Sequence, residues 1–124
     1  MTQDDIINTI LRVAWFPFER ALMHSVKAHL KSYREADRVL LGRRIHERVE
    51  RGDSPLLRHQ AYSGLITEAL QSPRVGAAID KAANMTGTTT QFVVDVLTEE
   101  GSAPEYNPVV IIDDAILEVV QVDR

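Results

Sequence analysis

The residues able to carry chemistry are few and dispersed. The 124-residue chain has no cysteine, so disulfides, thiolate nucleophiles and thiolate metal sites fall away together. The four histidines are His24, His29, His46 and His59. No two stand three or four residues apart, so no helix face can set two imidazoles side by side on a metal. The Glu-x-x-His unit of di-iron bundles is also missing. His46 and Glu50, four apart, fit a structural pair instead. Asp113 and Asp114 follow an apolar run and can hold magnesium, as carboxylates ending a strand sometimes do, but a solvated turn or helix cap is the preferred reading. No glycine-flanked nucleophile or phosphate loop is present. Triad members need not be adjacent in a chain, so an enzyme with a dispersed site stays open as a class. No catalytic residue, cofactor or metal ligand is assigned.

One spacing suggests nucleic acid. Ala83, Gly87 and Val93 fit the close-approach, turn and locking positions of a helix-turn-helix over residues 75–97. Thr88, Thr89, Thr90 and Gln91 would then open the recognition helix, where base contacts usually lie. The charge argues against it. DNA affinity comes largely from phosphate neutralisation, and Arg74 and Lys81 face Asp80, Asp95, Glu99 and Glu100 in this stretch. A second basic segment holds Lys27, Lys31, Arg34, Arg38, Arg43, Arg44, Arg48, Arg51 and Arg58. Glu35, Asp37, Glu47 and Glu50 are interleaved at spacings that allow pairs such as Glu47 with Arg51, so it reads as a salt-bridged, solvated face.

Two apolar features suggest a protein partner. Trp15-Phe16-Pro17-Phe18 gathers three of the seven aromatic residues, which suits an interface hot spot or a buried corner between helices. Val109, Val110, Ile111 and Ile112 have strand propensity, and a lone strand needs a pairing edge that a second copy can supply. Trp15, Phe16, Phe18, Val109 and Ile111 are therefore the interface candidates.

These residues must be positioned mainly by helices. Ile6, Ile7, Ile10, Leu11, Ala14 and Trp15 recur at helical spacing from Asp5 to Phe16, and Pro17 is expected to stop that helix and open the next. Residues 17–51 hold one glycine, Gly42, and no further proline. A straight helix there would run about 50 Å, against a diameter of about 35 Å for a compact chain of this size. The segment must break or lean on a partner. Ser32-x-x-Glu35, as a capping box, and Gly42 are the candidate break points. Gly52-Asp53-Ser54-Pro55, Ser72-Pro73 and Thr86-Gly87 punctuate further helices. Thr88 with Gln91 forms another capping box, and Gly101 ends the last helix. The wide apolar arc of Leu57, Ala61, Tyr62, Leu65, Ile66, Ala69 and Leu70 places that helix at the centre.

The fold expected is mainly α: an irregular bundle of five to six helices in a single domain over 1–124. Residues 102–124 are read as a loop and β-prone tail with a strand at 109–112, while 113–122 is open between strand and helix. Apolar residues make up 44% and charged residues 26%, the proportions of a globular chain. The acidic start lacks the basic-then-apolar pattern of a secretory signal, and no apolar run approaches membrane-spanning length, so a cytoplasmic protein is expected. Residues 1–60 carry a net +3 and residues 61–124 a net −7, which together give the overall −4. That asymmetry can orient a second copy. The expectation for function is a non-enzymatic interaction or assembly protein that self-associates, with a helix-turn-helix regulator as the alternative.

Overall fold

The computed structural model describes residues 1–99 and 104–120. The described residues form α1 (Gln3–Ile10), a wide π turn (Leu11–Trp15), α2 (Phe16–Lys31), α3 (Glu35–Glu50), α4 (Pro55–Leu70), α5 (Pro73–Thr86), α6 (Thr90–Leu97), a 3₁₀ turn (Pro104–Tyr106) and α7 (Pro108–Val120). The bundle class read from the sequence is the one observed. Its C-terminal part differs.

Thr2 opens α1 with a capping box: its hydroxyl accepts from the Asp5 amide at 3.2 Å, and the Asp5 carboxylate accepts from the Thr2 amide at 3.2 Å. Pro17 does not stop the helix as expected. The chain stays helical through the π turn into α2. Proline cannot donate to the carbonyl four residues back and its ring crowds it, and the wider turn just ahead of Pro17 makes room. The 17–51 segment breaks at Ser32–Arg34, although no capping box forms there. The Ser32 hydroxyl donates to the His29 carbonyl at 2.7 Å, and Arg34 holds the cap position without a side-chain bond. Gly42 lies buried inside an unbroken α3.

The other stop signals act as read. Gly52 and Gly87 take left-handed backbone, with φ of 72° and 65°, which glycine adopts without penalty. Ser54 accepts from the Leu56 amide at 3.2 Å ahead of Pro55, and Ser72-Pro73 opens α5. At α6 the cap is Thr89, which accepts from the Phe92 amide at 3.0 Å, one residue later than predicted. Thr88 shares a 2.8 Å hydrogen bond with Thr86 instead. The expected stop at Gly101 lies outside the described residues.

The strand expected at 109–112 does not form, and residues 108–120 are helix rather than tail. Asn107 starts it by accepting from the Val109 amide at 3.0 Å, with Pro108 in the first turn. Val109, Ile112, Ala115 and Ile116 are buried on one side, and α7 packs on α2, α3 and α4. Burial of that stripe outweighs the modest strand preference of β-branched residues. The cross-chain strand pairing this segment was read to offer goes with it. The centre is also reassigned. It is α2, not α4, that packs on α7, α4, α5 and the π turn together, through Phe18, Leu22, Val26 and Leu30. Leu57 of the α4 arc is exposed.

Candidate functional site

Three places could carry function: a polar lock inside the bundle, the clefts flanking it, and the surfaces singled out by sequence. The lock joins α4 to α7. The Tyr62 hydroxyl donates to Asp113 Oδ1 at 2.7 Å, and Arg58 Nε lies 3.0 Å from Asp113 Oδ2. Both charged side chains are deeply buried, at 10% and 5% exposure. The Arg58 Nε–H is not aligned for a hydrogen bond to that oxygen, so the contact is an ion pair, while a second guanidinium nitrogen donates to the Asp53 carbonyl. Arg58 is thus a core cation and not part of a phosphate-tracking face. Asp114 is exposed, so the adjacent carboxylates do not converge. Among the described residues no three His, Asp or Glu side chains gather as a metal would need.

Burial pushes the Asp113 carboxyl above its ordinary value of 3.8, and the Tyr62 hydrogen bond and the Arg58 charge only partly oppose it. Burial, the hydrogen bond to Asp113 and its charge raise the Tyr62 hydroxyl far above its ordinary range, against Arg48 and Arg58. The folded state therefore holds the Asp113 proton more tightly than the unfolded chain. That contribution is complete below the ordinary carboxylate value and is lost as pH rises through the raised one. Urea midpoints from about pH 3 to about pH 8 should show the wild type losing ground, with rising pH, to Asp113→Asn, which does not titrate. The opposite slope would mean that Arg58 outweighs burial.

Two clefts open beside α2. One, of about 470 Å³, lies between α2, α3 and α4, with Leu30, Leu41, Arg48, Tyr62 and Leu65 among its walls. The other, of about 670 Å³, runs between the start of α2 and the α4–α5 corner, lined by Phe16, Arg20, Ser25, Glu68, Ser72 and Arg74 among others.

The aromatic run divides. Trp15 and Phe18 are core residues, packed edge to face at 5.5 Å, with Tyr106 at 5.6 Å from Trp15. Phe16 is 62% exposed beneath the Arg20 guanidinium, 5.7 Å from the ring centre. Val109 is buried and Ile111 half-buried in α7, so of the five interface candidates only Phe16 offers a free face. Over residues 75–97, Ala83 and Val93 are buried and Gly87 makes the turn between α5 and α6. Thr89, Thr90 and Gln91 are exposed, but the Gln91 amide donates to Asp95 at 2.9 Å. On the basic segment His46 pairs with Glu50 at 3.1 Å as its spacing predicts, while Arg51 pairs with Asp53 at 3.3 Å rather than with Glu47.

The lock was missed in the sequence. Its one signal is helical: Asp113 falls in register with Val109, Ile112 and Ile116, visible only once the tail is read as a helix. Comparison with protein-family models, curated proteins and solved structures finds no match for this chain. No helix of the described residues is long and apolar enough to cross a membrane.

Proposed function

We propose that the chain is a non-enzymatic interaction protein that associates with a second copy of itself through α3 and the α3–α4 corner. The absence of cysteine suits work in the reducing cytoplasm. One observation carries the reading: α3, 16 residues long, buries only Gly42 and Ile45. Helices in water draw most of their stability from packing an apolar face, and this one is poorly covered. Tyr33, Leu40, Val49, Leu56 and Leu57 stand exposed along it and its flanks. Exposed apolar side chains of this size are the material of contact surfaces. Charge supports a second copy as the occupant. Within α3, Glu35, Asp37, Glu47 and Glu50 are interleaved with Arg38, Arg43, Arg44 and Arg48, so two-fold pairing of α3 with its copy can set acidic against basic side chains twice.

The buried lock favours a binding role over a catalytic one. The two groups whose titration the fold shifts most, Tyr62 and Asp113, are engaged with each other across α4 and α7. Sedimentation velocity over a concentration series should show a dimer that weakens with salt. The double variant Leu56→Glu/Leu57→Glu should raise its dissociation constant by at least about a hundredfold, since each leucine buried contributes about 1.5–3 kcal/mol. A compact wild-type monomer at high micromolar concentration would remove the proposal.

A further inference from the structure

We propose that the cleft between the start of α2 and the α4–α5 corner binds a phosphate monoester whose organic part is apolar. This surface is separate from the self-association face, so either reading can fail alone. Four observations converge there.

Arg20, from α2, and Arg74, from α5, both line the cleft, and neither makes an ion pair among the described residues. The stacking of Arg20 on Phe16 holds its guanidinium at the rim, and guanidinium forks match phosphate oxygens.

The N-terminus of the 14-residue α5 opens at the same place. Ser72 occupies the cap position, yet its hydroxyl makes no capping bond, so the first-turn amides of Arg74 and Val75 are not claimed by it. Uncapped amides and the helix dipole favour an anion.

The third observation points to a ligand independently. Ser25 is 7% exposed, and its hydroxyl has no hydrogen-bond partner among the described residues. It is nevertheless not among the atoms sealed inside the protein, and the surface it keeps opens on this cleft. A hydroxyl this buried normally finds a partner. Here a ligand oxygen can supply one.

The fourth is the composition of the walls. Phe16, Pro17, Ala21, Ala69 and Pro73 give an apolar bed, and about 670 Å³ is the size of a small-molecule site. Donors from Arg20 and Ser25 on α2 and from the first turn of α5 suit the several oxygens of a phosphate better than the two of a carboxylate. Glu68 on the wall disfavours a polyanion, which limits the charge to a single phosphate. The class is therefore one phosphate on a flat or apolar body.

The test is a titration of the full-length protein with phenyl phosphate, followed by amide chemical shifts. Saturable shifts confined to residues around Ser25, Ser72 and Arg74 are expected within about ten millimolar, the range open to a few charge-assisted contacts. Arg20→Gln/Arg74→Gln should weaken binding by at least about tenfold. Ser25→Ala should weaken it less, and Arg38→Gln, on another helix, should leave it unchanged. Phenol should not saturate, and inorganic phosphate should bind more weakly than phenyl phosphate. Shifts that never saturate, or an unaltered constant in the double arginine variant, would overturn the site. Benzoate binding as tightly as phenyl phosphate would overturn the choice of phosphate.

Discussion

Asp113→Ala is expected to lower the folding free energy by about 3–5 kcal/mol, a large part of the 5–15 kcal/mol typical of a domain. The carboxylate answers two groups at once: it accepts from the Tyr62 hydroxyl at 2.7 Å and supplies the counter-charge to Arg58, with Nε at 3.0 Å. Its removal leaves a guanidinium that is 10% exposed without its counter-charge and a buried phenol without its acceptor. A lone buried charge is far more harmful than the intact pair is helpful. Tyr62→Phe should therefore be mild, at about 1–2 kcal/mol, because Asp113 keeps its cation. The triple variant Arg58→Met/Tyr62→Phe/Asp113→Leu should recover most of what Asp113→Ala loses, since nothing polar is then stranded. Urea denaturation followed by circular dichroism measures all three. A loss under about 1 kcal/mol for Asp113→Ala would show that water reaches Arg58 and that the lock is not sealed.

The second large effect separates neighbours in the aromatic run. Phe18→Ala and Trp15→Ala should each destabilise by about 3–5 kcal/mol, the range for emptying a well-packed aromatic site. Phe18 is wholly buried and Trp15 nearly so, and they share an edge-to-face contact. Phe16→Ala should change stability by no more than about 0.5 kcal/mol, because its ring lies mostly in solvent. Thermal melts of the three variants decide it. Equal losses at positions 16 and 18 would contradict the orientation of α2.

These variants also mark where the sequence was readable. The helix stops at Gly52 and Gly87, and the serine–proline starts at 54–55 and 72–73, rest on local backbone chemistry, which a few residues settle. The split of the aromatic run does not, because Trp15, Phe16 and Phe18 have similar composition and only the phase of the helix separates them. The tail failed for a related reason. Propensity points Val109 to Ile112 towards strand, whereas burial against α2, α3 and α4 decides for helix. Asn107-Pro108 is the same cap-and-proline start as Ser54-Pro55, and would have announced a helix. With the tail read as a strand, Asp113 had no reason to meet Tyr62, 51 residues away in sequence. The lock, the cleft around Ser25 and the exposure of α3 are all products of tertiary packing.

The π turn at Leu11–Trp15 gives the first long rod one residue more than an uninterrupted α-helix would use. That surplus acts as a phase key. It sets the angle between the stripe of Ile10, which faces α5 and α6, and the stripe of Phe18 and Leu22, which faces the α2 neighbours. Each residue of an α-helix advances the face by about 100°. Loss of a single residue here would leave the rod helical yet turn one stripe off its partner. The segment is thus constrained in its length as well as at its buried residues Ala14 and Trp15, whereas the exposed turn between α3 and α4 has no such phase to keep.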